Sequence, residues 1–206
     1  MTITIDAADL ALLNAGKAVL MQPAAVIGPT GPTGPPPASG TYVIYSNGVY
    51  NWPGDYNSNA ISDYKNVGNQ PPGQTACQKI TFTAPWGEWL PYSHANPGPF
   101  LDISTCCGGG PATRIQFKLK ATQPNQGVSL YCVSAGDQQP PPSVPGYVSA
   151  PGVFPVGTWV TQTVELSTLG LGPGLWAGMS LYKLGMQDKT GLSSNIIYVD
   201  DVLLLP

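Results

Sequence analysis

The stretch Arg114-Ile-Gln-Phe-Lys-Leu-Lys120 alternates apolar and polar residues without interruption. Successive side chains of an extended chain point to opposite faces, so Ile115, Phe117 and Leu119 share one face. The pattern therefore predicts a β-strand that covers a hydrophobic core with one face and meets solvent with the other.

Similar stretches recur along the chain and are separated by residues that favour turns. Residues 50–59 and the proline-rich residues 138–145 are predicted to be loops. About eight strands with almost no helical periodicity predict an all-β fold, an antiparallel β-sandwich of jelly-roll type over residues 41–206. Besides Arg114–Lys120, the predicted strands are Thr41–Tyr45, Cys77–Thr83, Trp86–Tyr92, Val128–Val133, Trp159–Leu166, Leu175–Leu184 and Ile196–Leu205.

The composition fits one β domain and excludes some classes of partner. The chain has 206 residues, of which 25 are glycine, 23 are proline and 9% are charged. With 8 basic and 11 acidic residues, it lacks the clustered basic surface of a nucleic-acid-binding protein. No apolar run approaches the ~20 residues of a membrane span, so we expect neither nucleic acid nor a membrane as partner.

A different pattern occupies Gly28–Pro36, which reads Gly-Pro-Thr-Gly-Pro-Thr-Gly-Pro-Pro, with Gly28, Gly31 and Gly34 at every third position. Only glycine fits at the axis of a collagen triple helix, so this segment predicts a homotrimer. Three triplets are too few to hold a triple helix alone, and an extended single-chain linker is the alternative. The repeat resembles the collagen-like stems of bacteriophage fibre proteins and spore-surface glycoproteins.

The repeat divides the chain into three predicted parts: an anchor arm at 1–27, a stem and hinge at 28–40, and a β-sandwich head at 41–206. The arm begins Met-Thr-Ile-Thr-Ile-Asp and has no basic segment, so it is not expected to be a signal peptide. A virion-surface protein that is made in the host cytoplasm and released by lysis accounts for both the collagen-like repeat and the lack of a signal-peptide pattern.

The last predicted strand, Ile196-Ile-Tyr-Val-Asp-Asp-Val-Leu-Leu-Leu205, is similar to the closing strand of the jelly-roll carbohydrate-binding modules. Residues Tyr42–Gly48 resemble the opening strand of that family, and Gly157–Leu166 resembles a segment in which a tryptophan precedes a threonine-rich strand. The resemblance implies a jelly-roll head and places Trp159 in the core.

The same resemblance implies a structural calcium ion, with Asp200 or Asp201 as a ligand. Calcium takes about six to eight oxygen ligands. Asn47 stands where the family often has an acidic residue. The alternative is that one aspartate caps the end of the strand while the other is solvated.

A sugar-binding surface is the second feature that the resemblance implies, since sugar rings stack on aromatic side chains. The candidates are Trp52, Trp86, Trp89 and Tyr92. On an extended strand Trp86 and Glu88 lie on the face opposite Trp89, so the two tryptophans cannot line one surface. Ordinary core packing of these aromatic residues is the alternative.

The four cysteines are Cys77, Cys106, Cys107 and Cys132. Adjacent cysteines rarely pair with each other without strain, so Cys106 and Cys107 would each seek one of the other two. Two disulfides in an oxidising medium are one interpretation, and four reduced thiols are another. A zinc site is less consistent with the sequence, because there is no Cys-x-x-Cys spacing and His94 is the single histidine.

Catalytic patterns are missing from the sequence. Glycosidases use a pair of carboxylates at a fixed separation, and Glu88 and Glu165 are the two glutamates of this chain. His94 has no nucleophile elbow to accompany it. We therefore expect a protein that is not an enzyme.

The sequence as a whole predicts a trimeric virion-surface protein, of the bacteriophage capsid-fibre, decoration or tail-fibre type. Residues 1–27 would dock onto a capsid or other virion protein, and the head would display a polysaccharide-binding surface. Three copies would strengthen weak binding by raising the effective concentration. The alternatives are a glycan-binding module of a cell or spore surface, and a purely structural cementing protein.

Overall fold

β-Strands form nearly all the regular structure of the chain in a computed structural model, which describes residues 40–51, 56–93, 100–123, 128–133, 148–149, 155–188 and 195–206. The predicted arm and the stem with Gly28, Gly31 and Gly34 lie outside these residues, so the predicted division of the chain stays a prediction. Among the described residues, no helix is long and apolar enough to cross a bilayer.

The described residues contain one 3-10 helix, Leu166–Leu169, and fourteen strands. The strands are β1 (Tyr42–Ser46), β2 (Val49–Tyr50), β3 (Tyr56–Ser58), β4 (Ala60–Asn66), β5 (Cys77–Phe82), β6 (Glu88–Ser93), β7 (Leu101–Asp102), β8 (Arg114–Ala121), β9 (Val128–Val133), β10 (Val148–Ser149), β11 (Trp159–Glu165), β12 (Ser180–Leu181), β13 (Lys183–Asp188) and β14 (Asn195–Leu205).

The prediction of an all-β antiparallel sandwich is confirmed. In β8 the alternating residues Ile115, Phe117 and Leu119 are completely buried, as their spacing predicts. The strand predicted at Leu175–Leu184 is wrong in its first half, because Gly178 (φ +63°) and its neighbours form turns before β12 begins.

Two larger sheets pack against each other, and β14 organises the first. This seven-stranded sheet runs β11-β8-β14-β1-β2, and β5 also pairs with β14 and carries β4 at its side. Two strands pair one after the other along the same edge of β14. Residues 195–199 pair with β5, and residues 202–204 pair with β1. The second sheet runs β10-β9-β13-β6-β3, and β7 pairs with β12 in a small third sheet.

The hydrophobic core lies between the two larger sheets. Phe82 and Phe117 come from the seven-stranded sheet, and Trp89, Leu130 and Met186 come from the five-stranded one; all five are completely buried. Burying aromatic and aliphatic surface of this size is the main source of stability for such a sandwich.

The prediction that Trp159 lies in the core is wrong. Its neighbour Val160 packs on the core, so the alternation of β11 directs Trp159 to the outer face of the seven-stranded sheet. There its indole N–H donates to the carbonyl oxygen of Asn69 at 3.1 Å, and Lys120 Nζ lies 5.5 Å from its ring centroid. Trp159 thus holds a loop against the outer face of the sheet.

Candidate functional site

Trp86 is presented to solvent by a tight turn at the start of β6. The Gly87 N–H donates to the Ala84 carbonyl at 3.3 Å, which closes a four-residue turn with Pro85 second and Trp86 third. Trp86 has φ +60°, so the turn has the pattern of type II, in which the third residue is normally glycine. The Trp86 side chain is 56% exposed.

Residue 87 of this turn must be glycine, because another segment of backbone passes close to it. A Cβ on Gly87 would lie 2.5 Å from the carbonyl oxygen of Asn59. The same Asn59 carbonyl accepts a hydrogen bond from the Thr83 N–H at 2.8 Å. Glycine is therefore required at position 87, and the tryptophan takes the left-handed position that glycine usually occupies.

A row of polar side chains crosses the outer face of the five-stranded sheet next to this turn. Ser58 pairs with Glu88, Glu88 with Gln187, and Gln187 with Ser129. Directly paired residues point to the same face of a sheet. These four residues, the polar row, therefore run across β3, β6, β13 and β9.

Hydrogen bonds join the polar row to the Trp86 turn. Gln187 Nε2 donates to Glu88 Oε1 at 3.3 Å and to the Trp86 carbonyl at 3.4 Å. Ser129 Oγ is buried and has no hydrogen-bond partner among the described residues. Ser58, Glu88 and Gln187 are partly exposed, so a hydroxyl, a carboxylate and an amide of the row can bond to sugar hydroxyls, whereas Ser129 is completely buried.

Tyr131 lies on the same face and is almost completely buried. Tyr131 pairs with Gly185 of β13, and a Cβ atom on residue 185 would overlap the Tyr131 ring. The Tyr131 hydroxyl donates to Glu88 Oε2 at 2.9 Å. Glycine at position 185 therefore gives the ring room to cross β13 and reach the carboxylate on β6.

The structure separates the four aromatic residues predicted to bind sugars. Trp86 is exposed, whereas Trp89 is completely buried and packs in the core, so its ring has no face open to a ligand. The prediction that Trp89 binds sugars is therefore wrong, and Trp89 packs in the core. The cause is the alternation of side chains along β6, since Glu88 points to the outer face and its neighbour Trp89 points inward. Trp52 and the side chain of Tyr92 lie outside what the structure describes.

Asp200 and Asp201 form a β-bulge in β14. The register with β8 shifts between Asp200 and Leu203, and Asp201 has φ +47°. Asp201 Oδ2 lies 2.7 Å from Lys118 Nζ, and its Oδ1 accepts from the Ser46 hydroxyl at 2.6 Å. No group of three or more Asp, Glu, His or Cys side chains suited to a metal occurs in the described part of the chain, and calcium stays a prediction.

All four cysteines are free thiols, so the predicted disulfides are absent from the structure. Cys77 and Cys132 are buried in strands, and the Cys132 Sγ donates to the Leu169 carbonyl at 2.8 Å. Burial raises the pKa of each of these two thiols to about 12. The structure agrees with the alternative interpretation, which is four reduced thiols.

No family model matches this sequence, and no curated protein does. Solved structures with a similar fold were found. They include carbohydrate-binding modules. A mutant family 29 module is 14% identical, with a TM-score of 0.49, over 80% of this chain and 83% of that one. A family 11 module from Clostridium thermocellum, in complex with a mixed-linked tetrasaccharide, is 17% identical, with a TM-score of 0.46, over 82% of this chain and 96% of that one. Similarity at this level is no evidence of a ligand for this chain.

Sequence reasoning missed Tyr131, Gly185 and Gln187, which come from strands far from Trp86 along the chain. Only the pairing of β6, β13 and β9 brings these residues together. The Pro85-Trp86-Gly87 triplet was the available signal, because a proline in second position favours a turn and leaves the tryptophan outside the strand.

Proposed function

We propose that the β-sandwich is a glycan-binding module without catalytic activity, and that its site is the Trp86 turn with the adjoining polar row. The observation that carries the proposal is an exposed tryptophan at a backbone position that favours glycine, hydrogen-bonded to a network of polar side chains. An aromatic ring beside hydroxyl, amide and carboxylate groups is the composition that binds a sugar ring.

The conformation of Trp86 supports a ligand role. A residue with a Cβ loses roughly 1–2 kcal/mol in the left-handed region, and glycine avoids this loss. The ring does not recover it by full burial, since 56% of the side chain is exposed. Strained residues of this kind concentrate at functional sites, where the strain fixes the direction of a side chain.

The expected roles follow from the chemistry of each group. The Trp86 ring stacks on the apolar face of a sugar. The Glu88 carboxylate and the side-chain oxygen of Gln187 accept hydrogen bonds from sugar hydroxyls, since both N–H groups of the Gln187 amide already donate to Glu88 and to the Trp86 carbonyl. The partly exposed residues of the polar row, Ser58, Glu88 and Gln187, cross three strands, about 10 Å at the usual strand spacing, so with the Trp86 ring beside them the proposed ligand is a chain of sugars rather than a monosaccharide.

Replacing Trp86 by glycine tests the proposal cleanly. Trp86→Gly removes the ring but fits the turn, so the free energy of unfolding is expected to stay within about 1 kcal/mol of the wild type. Retention in affinity gels that contain glucan, mannan or xylan is expected to fall to background for this variant.

Tyr64→Ala is the matched control, because Tyr64 is 46% exposed on β4, a strand of the other sheet. This variant should keep wild-type retention. The proposal fails if the wild type is retained by no polysaccharide, or if Trp86→Gly and Tyr64→Ala behave alike.

A second candidate function rests on the Gly28–Pro36 repeat. We propose that the module is displayed as a trimer on a virion surface, with residues 1–27 docked onto a capsid or tail protein. A collagen-like stem would hold three weak sugar sites together and raise the effective concentration. A cementing protein would instead lower particle stability when absent and bind no polysaccharide.

A further inference from the structure

Cys106 and Cys107 lie in the connection between β7 and β8, and their sulfurs share one side of the chain. Neighbouring residues of an extended strand point their side chains in opposite directions. Here the chain turns at Cys106, and the two Sγ atoms are 3.8 Å apart. The Cys106 side chain is partly exposed, while Cys107 is buried.

The backbone holds this pair in place without help from the sulfurs. Cys107 and Gly110 exchange two hydrogen bonds, N–H to carbonyl at 3.0 and 3.1 Å, around Gly108 and Gly109. These two glycines have φ of +64° and +91°, which suits a tight two-residue hairpin turn. The position of the thiols is therefore set by the fold.

Each thiol makes only weak contacts. The Cys106 Sγ lies 3.9 Å from the Ile103 carbonyl, and the Cys107 Sγ lies 3.5 Å from the Leu204 carbonyl. Thiols are poor hydrogen-bond donors, so replacing these contacts is expected to require little energy. Neither sulfur is therefore held by a strong hydrogen bond, and the partly exposed Cys106 is the side from which a ligand that prefers sulfur reaches the pair.

We propose that Cys106 and Cys107 form a dithiol site for soft, thiophilic ligands that take two sulfurs, of the class of trivalent arsenicals. An arsenical R–As=O forms two As–S bonds, and the two thiol protons leave with its oxygen as water. No electrons are transferred, so the site needs no oxidant. Soft ligands prefer sulfur over the oxygen and nitrogen donors of the rest of the chain.

Chelation distinguishes this site from the other two cysteines. After the first As–S bond forms, the second thiol is already adjacent, so the second bond closes at a high effective concentration. Burial, and then the charge of Cys107, raise the pKa of Cys106 to about 12, so its thiol stays protonated at neutral pH and reacts slowly with reagents that need one thiolate.

The test uses the full chain, reduced and free of oxygen, titrated with phenylarsine oxide and followed by native mass spectrometry. We expect one arsenical per chain, with the loss of one water. The adduct should survive excess 2-mercaptoethanol and be reversed by 2,3-dimercaptopropanol, because only a dithiol can compete with a chelate.

Cys106→Ser should weaken the mercaptoethanol-resistant binding roughly 100-fold, since the second bond then has no neighbouring thiol. Cys107→Ser is the second variant, and near-ultraviolet circular dichroism checks that each variant is folded. Cys77→Ala and Cys132→Ala are the matched controls and should bind as the wild type does. Absence of a resistant adduct, or an adduct that Cys106→Ser leaves intact, would overturn the proposal.

Discussion

At the scale of single residues, Asp200 is a carboxylate whose buried surroundings disfavour its charged form. Its side chain is completely buried, and Oδ1 accepts the N–H groups of Asn47 at 2.9 Å and Asp201 at 2.8 Å. Oδ2 has no hydrogen-bond partner among the described residues. Burial raises the pKa of Asp200 from 3.8 to about 6, against the opposing effect of the two N–H bonds.

This pKa makes stability depend on pH in a stated direction. The folded chain binds the Asp200 proton more tightly than the unfolded chain, so stability is lost as the pH rises from about 4 to about 6. Asp200→Asn keeps the Oδ1 acceptor and removes the charge. Relative to the wild type, its free energy of unfolding should therefore rise across this window by up to about 3 kcal/mol.

Urea unfolding followed by tryptophan fluorescence at about pH 4, 5, 6 and 7.5 measures this difference. Asp201→Asn is the control, because it breaks the contact with Lys118 and should destabilise the protein at neutral pH. A difference between Asp200→Asn and the wild type that does not change with pH would contradict the pKa argument.

At the scale of elements, the β1–β2 hairpin is connected to the rest of the sheet through its turn. Asn47 and Gly48 have φ of +51° and +76°, and Asn-Gly is the preferred pair for a turn of this hand. The Asn47 side-chain oxygen accepts from the Thr75 N–H at 2.6 Å, the Thr75 hydroxyl at 2.8 Å and the Ala76 N–H at 3.2 Å. One side chain thus fixes the turn and the chain entering β5.

Asn47→Ala is expected to lower the free energy of unfolding by about 2–4 kcal/mol, from the lost hydrogen bonds and the left-handed backbone. Asn59→Ala is the matched control, because Asn59 has φ +50° and uses its backbone carbonyl, which alanine retains. That variant should lose only about 1 kcal/mol. Equal losses in urea unfolding would show that the side-chain bonds of Asn47 contribute nothing.

At the scale of the whole molecule, the proposed trimer depends on the glycine period of residues 28–36. Light scattering of the full chain is expected to give three times the chain mass. Gly31→Ala should shift this mass toward the monomer, because a methyl group does not fit at the axis of a triple helix. Thr30→Ala keeps the glycine period and should leave the trimer intact.

A wild-type monomer would argue against the stem as a trimerisation element. A trimer that Gly31→Ala leaves unchanged would place the threefold contacts elsewhere in the chain. Either result leaves the glycan test on Trp86 standing, since that test depends on the head alone.

The sequence by itself determined most of the longer strands and the buried face of β8. In β8 apolar and polar residues alternate, and this local pattern is enough to fix the strand and its inward face. In β9 all six residues are buried, so its apolar residues indicate a strand but not which face meets the core. β4 escaped the prediction because it is an exposed edge strand with polar residues throughout its second half. Its structure comes from pairing with β5 rather than from its own pattern.

The tertiary structure alone decided which aromatic residues are available to a ligand. Trp86 and Trp89 lie three residues apart, yet one occupies a turn in solvent and the other the core. The polar row from Ser58 to Ser129 depends on the register of four strands that are distant in sequence. Local patterns specify strands because the side-chain period is a property of the backbone, whereas register depends on long-range packing that no short segment contains.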